Sequence, residues 1–231
     1  MNLGSEALAS MELFVGLPSA VLDEVMTRGR VRHLQKETRI FHQGDPADRA
    51  HALIEGTVRI SQTGGEGAQI LIRLIGPGET FGTAALFTDR KYPADAHTLS
   101  DAVEISWSEA ALLDMIARYP QIALNVIRVL GVRLKEAQER LRELSTQRVE
   151  RRIARTVLRL AEKSGQPIGD ATEIDFPLRR RDVAQMSGTT FYSVSRTLKA
   201  WERAGWLTSE KQRLVLRRQS EIQRIADDPM E

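Results

Sequence analysis

A regular apolar pattern in the middle of the chain places the strongest constraint on the fold. Apolar residues recur there at alternating spacings of four and three: Ala123, Ile127, Leu130, Leu134, Ala137, Leu141 and Leu144. This spacing puts a narrow apolar seam on one helix, which starts at Pro120 and is roughly 40 Å long at about 1.5 Å per residue. The seam and its charged flanks predict a two-stranded coiled coil between two copies of the chain. Packing of the helix on the chain's own sheet is the alternative.

The chain before this helix has a different periodicity. From residue 31 onward, short segments alternate between apolar and polar residues, and glycine or proline separates them. The candidate strands are residues 31–35, 38–41, 52–54, 57–61, 69–75 and 103–107. Several short strands with regular turn signals predict an antiparallel sandwich, roll or jelly roll.

The stretch after the seam has the pattern of two helices joined at Gly188. The second helix has a suitable N-cap in Thr190 and ends at Gly205. Val194, Leu198 and Trp201 share one face at helical spacing, and we expect that face to be buried. The opposite face carries polar and cationic side chains: Tyr192, Ser195, Arg196 and Lys199. This pattern is typical of a helix-turn-helix that reads DNA, and an ordinary helical hairpin with a solvated face is the alternative.

Before these two helices, residues 165–169 predict a loop and residues 174–176 a short strand. After them, residues 206–209 and 214–216 predict a hairpin, the wing of a winged helix-turn-helix. The chain as a whole is therefore predicted to be an α+β protein. We expect a sensor roll over residues 1–119, a dimerisation helix over 120–145 and a winged helix-turn-helix domain over 146–231.

The charge of the chain is unevenly distributed. Residues 1–145 contain 16 Lys or Arg and 19 Asp or Glu, whereas residues 146–218 contain 16 Lys or Arg and 8 Asp or Glu. A basic module attached to an acidic body is typical of a phosphate-binding domain joined to a second function.

Several classes of protein and site are excluded or disfavoured by composition. The chain has no cysteine, which excludes disulfides, thiolate metal sites and iron–sulfur clusters and fits a cytoplasmic protein. It has no apolar run long enough to span a membrane. We find no glycine-rich nucleotide loop, metal-spaced cluster or nucleophile–base pair, so we do not expect an enzyme.

Specific segments resemble the CRP/FNR family of bacterial transcription regulators. Residues 44–60 are similar to the family's first roll signature, and residues 78–87 to the start of its phosphate-binding cassette. Residues 152–154 are similar to the start of its first DNA-domain helix, and residues 190–196 to its recognition helix. The resemblance covers about residues 10–218. It implies a cyclic-nucleotide-binding-like roll, a homodimer and a DNA-binding winged helix.

The same resemblance indicates where an effector would bind. The corresponding positions are Phe81, Gly82, Thr83, Ala84, Arg90, Tyr92, Pro93, Ala94, Arg133, Ala137 and Gln138. Cyclic-nucleotide binders carry Glu where this chain has Thr83, and Arg-Ser or Arg-Thr where it has Tyr92 and Pro93. A buried phosphate without a charged partner is costly, so these departures argue against cAMP. Arg90, two residues out of register, is the alternative cation.

The Tyr92-Pro93 pair and the sequence of the reading helix are similar to the nitrogen-oxide-responsive branch of the family, whose members are linked to haem. Haem would need an axial ligand. The available histidines are His33, His42, His51 and His97. The spacing of these histidines does not indicate a pair of axial ligands. The sequence therefore leaves two alternatives for the cofactor, haem or another small molecule.

The resemblance also gives expected DNA contacts on a near-palindromic operator. They are Arg180, Thr189, Thr190, Phe191, Tyr192, Ser193, Ser195, Arg196, Lys199 and the wing's Lys211. Arg196 would bind a guanine edge, the commonest specific pairing. An activator would also contact RNA polymerase. A cyclic-nucleotide-binding regulatory subunit that acts on a protein partner is the alternative function.

Overall fold

The structure is a computed structural model that describes residues 6–65, 69–210 and 212–228. The chain divides into two compact units, one ending at Glu136 and the other beginning at Ala137. This division falls inside the long helix that carries the apolar seam, so the helix contributes its first part to one unit and its second part to the other.

The first unit contains the predicted roll. Its helices are α1 (Glu6–Ala9), α2 (Ser19–Arg28), α3 (Glu109–Arg118) and the first part of α4 (Gln121–Thr146), with a 3₁₀ turn at Thr83–Phe87. Its strands are β1 (Arg30–Leu34), β2 (Arg39–Phe41), β3 (Arg49–Glu55), β4 (Val58–Thr63), β5 (Gln69–Ile75), β6 (Thr80–Phe81), β7 (Asp95–Thr98) and β8 (Ala102–Ser108).

These strands form two antiparallel sheets, in the orders β1-β8-β3-β6 and β2-β7-β4-β5. The period-two pattern gives each strand of the first sheet two different faces. On β8, Ile105 and Trp107 are fully buried, and Trp107 donates a hydrogen bond from Nε1 to the carbonyl of Val25, at 2.8 Å. Phe14 packs edge-on against Trp107, with ring centroids 4.9 Å apart. This side of the sheet therefore anchors the N-terminal helices.

The second unit contains the second part of α4 together with α5 (Val149–Ser164), α6 (Arg180–Ser187), α7 (Phe191–Arg203) and α8 (Gln219–Asp227). Its strands are β9 (Gly165–Ile168), β10 (Ala171–Ile174), β11 (Leu207–Glu210) and β12 (Arg213–Leu216), in the sheet order β11-β12-β10-β9. The hairpin of β11 and β12 is the predicted wing. The observed elements confirm the predicted fold class, with an antiparallel roll, a long helix and a winged helix-turn-helix.

Two local predictions were wrong. Residues 165–169 were expected to be a loop, but Gly165–Ile168 pairs with Ala171–Ile174 as a short hairpin. The strand expected at residues 174–176 accordingly lies three residues earlier. The pattern was hard to read because Gly165, Pro167 and Gly169 are all turn-favouring residues, and pairing with a neighbouring strand overrides that preference.

Candidate DNA-reading surface and effector cassette

The reading helix α7 begins as the sequence predicts. The Thr190 hydroxyl accepts a hydrogen bond from the Ser193 amide at 3.2 Å, which caps one of the unpaired amides of the first turn. Val194, Leu198 and Trp201 are buried. Trp201 also donates from Nε1 to the Glu150 carboxylate on α5, at 3.1 Å. One face of α7 is therefore fixed in the core of the second unit, which leaves the other face free to contact a ligand.

The outer face of α7 presents two aromatic rings and two cations. Phe191 is 50% exposed and Tyr192 is 83% exposed, and the two rings meet edge-on. Arg196 and Lys199 are exposed. Within the described part of the chain, neither cation forms an ion pair or a side-chain hydrogen bond. An amphipathic helix with unpaired cations outward suits a polyanionic partner.

Two other predicted contact residues, Ser195 and Arg180, are less available than the sequence suggests. The Ser195 hydroxyl is covered and has no hydrogen-bond partner among the described residues, so it is not the outward group that the spacing indicated. Arg180 forms an ion pair with Glu202 at 3.1 Å. Lys211, expected on the wing, lies outside the described residues. On the described part of the wing, Arg213 pairs with Glu173 at 3.1 Å.

The turn before the reading helix is held by residues that our sequence analysis did not assign to it. Arg152 donates to the carbonyls of Ser187 and Gly188 at 2.9 and 3.0 Å, and Arg140 donates to the carbonyl of Met186 at 2.7 Å. These cationic side chains supply hydrogen bonds to carbonyl groups at the C-terminal end of α6, where the helix itself offers no donors. The sequence around Arg140 does not indicate this role, because a charged residue at this place in α4 looks like any solvent-exposed residue of a helix.

Gly188 itself is required at the turn by its conformation and by its surroundings. Its φ is +59°, and a Cβ placed there would lie 2.1 Å from Cδ2 of Leu144. Leu144 was predicted as the last seam residue, and its side chain contacts this turn while staying 43% exposed. Nearby, the buried Glu143 carboxylate accepts from Arg155 and Arg159 at 3.2 and 2.8 Å.

The seam residues between Ala123 and Leu144 are exposed in the single chain. On the first part of α4, Ile127 and Leu134 are 65% and 61% exposed, and Leu130 is also exposed. On the second part, Leu141 is 66% exposed. Exposed leucines and isoleucines in one row on a helix are an unburied apolar surface, which is the usual mark of an interface.

The cassette of the roll turns sharply at Gly82, whose φ is +72°. Thr83, which occupies the expected Glu position, is buried, and its Oγ1 has no hydrogen-bond partner among the described residues. The other predicted cassette residues divide by burial: Phe81, Tyr92 and Ala94 are buried, while Ala84, Arg90 and Pro93 are exposed.

Tyr92 is tied into a buried polar network. Its hydroxyl lies 3.0 Å from Nε2 of His51 and 3.0 Å from the carbonyl of Arg49. Nδ1 of His51 meets the Glu104 carboxylate, which also accepts from Nε of Arg32 at 2.6 Å.

The pKa of Tyr92 is raised to about 12, chiefly by burial and in smaller part by the charge of Asp48, while Arg49 opposes the rise. Burial alone would raise the pKa of Glu104, but the hydrogen bond and charge of His51, with Arg32, outweigh it and lower that pKa below its ordinary value.

The cations predicted to bind the effector already have ion-pair partners. Arg133 donates to the carboxylate of Glu12 and lies 3.4 Å from that of Glu79. Arg90, with a φ of +55°, pairs with Glu109 at 2.7 Å on the surface. Ala137 and Gln138 are exposed residues of α4 and belong to the second unit. The structure therefore brings Tyr92, Thr83 and Phe81 to one region of the roll without a free cation among the predicted residues of that unit.

The described residues contain no group of three or more His, Asp or Glu side chains placed to hold a metal ion. None of their helices is long and apolar enough to cross a bilayer.

Each of the two units contains a segment that matches a known protein family. A cyclic nucleotide-binding domain model matches residues 31–119, and a Crp-like helix-turn-helix domain model matches residues 151–225. The cyclic AMP receptor protein of Thermus thermophilus is 30% identical over 193 residues, which cover 84% of this chain and 86% of that protein.

A CRP-like cAMP-activated global transcriptional regulator of Mycobacterium tuberculosis is 26% identical, over 96% of this chain and 97% of that protein. The structure of FixK2 from Bradyrhizobium japonicum shares the fold with a TM-score of 0.75 and 20% identity, over 87% of this chain and 99% of that chain. The matched proteins are transcription regulators and not enzymes, which agrees with the function predicted from the sequence. The chain thus belongs to the CRP/FNR family of transcription regulators, in which a cyclic nucleotide-binding domain is joined to a DNA-binding helix-turn-helix domain.

Proposed function

We propose that this regulator binds a near-palindromic operator as a homodimer, with α7 of each copy in the major groove. The observation that carries the proposal is the outer face of α7. Arg196 and Lys199 are exposed there without partners among the described residues, while the inner face is held in the core. Helix-turn-helix dimers place their two reading helices about one helical turn of DNA apart, so the operator should have two half-sites with that separation.

Each exposed group of α7 then has a distinct role. Arg196 contacts the O6 and N7 atoms of guanine with its two-pronged guanidinium group. Phe191 and Tyr192 contact a thymine methyl group or a base edge. The capped N-terminus at Thr190, with Thr189, Ser193 and Lys199, contacts phosphates, as helix N-termini commonly do. Arg180 contributes after exchange from Glu202, and Lys211 contributes from the wing.

The experiment is selection of bound duplexes from a random pool, followed by fluorescence anisotropy at several salt concentrations. We expect an inverted repeat with a guanine in each half-site, and an affinity that falls steeply as salt rises. A protein that shows no salt-sensitive binding to any duplex would be a regulatory subunit for a protein partner instead.

The homodimer is proposed to form through the exposed apolar row of α4. Leu134→Glu should give a monomer in sedimentation velocity and lower the affinity for a two-half-site operator, because it places a charge in the seam. Arg142→Glu places a carboxylate on α4 outside the seam, with an even larger change of charge, and should leave the dimer intact. Equal sedimentation of all three proteins as dimers would exclude this seam as the interface.

We further propose that the roll responds to a small molecule other than cAMP. Two relatives are named for cAMP, but here the charged contacts that a cyclic phosphate needs are committed elsewhere. Arg133 is paired with Glu12 and Glu79, Thr83 replaces the expected Glu, and Tyr92 is bound to His51. Calorimetry with cAMP should therefore give no heat of binding, and cAMP should not change operator affinity. Saturable binding that alters operator affinity would overturn this part.

We also propose, more narrowly, that the protein belongs to the nitrogen-oxide-responsive branch of the family, as Tyr92-Pro93 suggests, and binds haem. The arrangement of His51 does not suit a haem ligand, since both of its ring nitrogens already have partners. His97 is the better candidate, because its half-buried ring has an Nδ1 atom without a hydrogen-bond partner among the described residues. An absorption spectrum of the protein as purified, repeated for His97→Gln, would reveal haem and its dependence on that residue.

Activation and repression differ by their effect on RNA polymerase. Should the operator lie upstream of a promoter, we expect the regulator to contact the polymerase directly. Transcription from purified components, with and without the regulator, measures the sign of the effect.

A further inference from the structure

One face of the first sheet of the roll is built from polar side chains where the fold would ordinarily bury apolar ones. Alternate residues of β1, β8 and β3 contribute to it: Arg30, Arg32, Glu104, Ser106, Arg49 and His51. Glu104, Ser106 and His51 on this face are at most 3% exposed. A buried polar face is costly unless every group has a partner, so this composition calls for an explanation.

Part of this face opens into a cleft of about 210 Å³. Ser106, His51 and Tyr92 are among its lining residues, together with Ile40, Phe41 and Pro46. Its charged lining residues are Arg30, Arg32 and Arg49, and Asp45 and Asp48. The volume is below the range of about 300–1,000 Å³ that suits drug-sized ligands, so the cleft suits a small metabolite better than a nucleotide.

The charges of this cleft are only partly compensated. Arg32 is paired with Glu104. Arg49 donates to Oγ and to the carbonyl of Ser106, at 3.0 and 2.8 Å, but has no carboxylate partner. Over the residues that the structure describes, Arg30, Arg49 and Asp48 take part in no salt bridge. A cleft with unpaired charges of both signs complements a ligand that also carries both.

We propose that this cleft is an effector site for a small zwitterion of the α-amino-acid type. The ligand's carboxylate would lie towards Arg30 and Arg49, since guanidinium groups bind carboxylates through paired hydrogen bonds. Its ammonium group would lie towards Asp48 and Asp45. This site is separate from the Thr83 side of the cassette, and its existence does not depend on the proposed operator contacts.

The floor of the cleft connects it to the cassette turn. Tyr92 stacks on Phe41, with ring centroids 3.8 Å apart, and His51 stacks on Phe81 at 5.2 Å. A Cβ added at Gly82 would lie 2.9 Å from Cε1 of Tyr92 and 3.0 Å from Cδ2 of His51. A ligand that shifts either ring must therefore shift the cassette turn, because packed interiors have little free space to absorb a displacement. Binding in the cleft can thus bias the conformation that regulates DNA affinity.

The test uses the purified full-length protein and each of the common L-amino acids singly. We expect at least one to raise the unfolding temperature in a concentration-dependent manner, to bind in calorimetry and to change operator affinity. For the amino acid that binds, the N-acetyl derivative lacks the ammonium charge and the carboxamide lacks the carboxylate. Each derivative should bind about tenfold more weakly or worse, as the loss of one charged hydrogen bond predicts.

Variants of two exposed cleft residues complete the test. Arg30→Gln and Asp48→Asn should each weaken binding about tenfold or more, with little effect on folding. The matched controls Arg39→Gln and Asp23→Asn change exposed residues outside the cleft and should bind normally.

The proposal is overturned if no amino acid binds, if the acetylated derivative binds equally well, or if both cleft variants keep full affinity. Binding without any change in operator affinity would overturn the regulatory role. Failure to bind any duplex both with and without the amino acid would instead count against the proposed function alone.

Discussion

The cations of the two units are used in opposite ways. On α7 of the second unit, Arg196 and Lys199 point outward and have no partner among the described residues. In the roll of the first unit, Arg133 is bound to Glu12 and Glu79, and Arg90 is bound to Glu109. Both sets of cations lie in regions where the family resemblance implies a bound partner, which is DNA on α7 and an effector in the roll.

This contrast supports both proposals, that the outer face of α7 binds a polyanion and that the roll does not bind a cyclic phosphate. An unpaired exposed cation costs little in water and gains from counterion release when it meets DNA. A guanidinium group that is already held by two carboxylates must break those contacts before it can bind a ligand phosphate. We therefore expect the sequence similarity of the roll to extend to the fold and not to the ligand, and the similarity of the reading helix to extend to both.

The largest expected effect concerns the buried network of the roll. Glu104→Gln should lower the free energy of unfolding by about 3–5 kcal/mol, because it leaves the buried His51 and the charge of Arg32 without their shared partner. The measurement is urea unfolding followed by circular dichroism. Glu109→Gln, which breaks only the surface pair with Arg90, should cost about 0–1 kcal/mol.

The same network predicts a pH dependence. The pKa of Glu104 is lowered in the folded state, so its stabilisation is present above the ordinary Glu value of about 4.3 and is lost as pH falls through the folded value. The difference in stability between the wild type and Glu104→Gln should therefore shrink under acid conditions. A difference that stays constant down to pH values where the roll unfolds would contradict the assignment of that charge.

The second prediction concerns the reading surface. Arg196→Ala should weaken binding to the selected operator by about 1–3 kcal/mol and relax the preference at one base pair of each half-site. The loss follows because the variant removes the bidentate contact and leaves a guanine edge without its partner. Anisotropy titrations with the operator and with single-base variants measure both effects, and an unchanged ranking of those variants would remove Arg196 from base recognition.

The contrast between the units also explains what the sequence could and could not predict. The helix spacing of Val194, Leu198 and Trp201 fixes which side of α7 is buried, so the outward position of Arg196 follows from local pattern alone. The period-two segments likewise predict the strands of the roll. These features depend on residues that are near one another in the chain, where periodicity is informative.

The ion pairs and hydrogen bonds of the predicted effector residues depend instead on partners that are distant in the sequence. Nothing near Arg133 indicates that Glu12 will neutralise it, and nothing near Tyr92 indicates His51. Ser195 shows the limit even on α7, since its spacing places it outward while packing covers its hydroxyl. Ionic and hydrogen-bonded pairs across a fold require the three-dimensional arrangement, because their members share no spacing rule.

The third prediction tests the link between Tyr92 and His51. Tyr92→Phe keeps the ring that stacks on Phe41 but loses the hydroxyl hydrogen bonds, so it should cost about 0.5–1.5 kcal/mol at neutral pH. The folded-state pKa of about 12 lies above the ordinary value near 10, so Tyr92 stabilises the fold below pH 10 and loses that contribution as pH rises towards 12. Alkaline unfolding curves should show this loss in the wild type and not in Tyr92→Phe, and parallel curves would disprove it.

The smallest expected effect is the most direct check on the unpaired cations. Lys199→Ala should weaken binding to all duplexes alike and reduce the slope of log affinity against log salt by about one, since one phosphate contact is lost. Arg39→Ala removes an exposed cation of the roll and should leave the slope unchanged, because the roll is not expected to contact DNA. If the two variants lowered the slope equally, net charge rather than the outer face of α7 would govern binding. If only Lys199→Ala lowered it, the phosphate contact would belong to the reading helix, as the unpaired state of its cations implies.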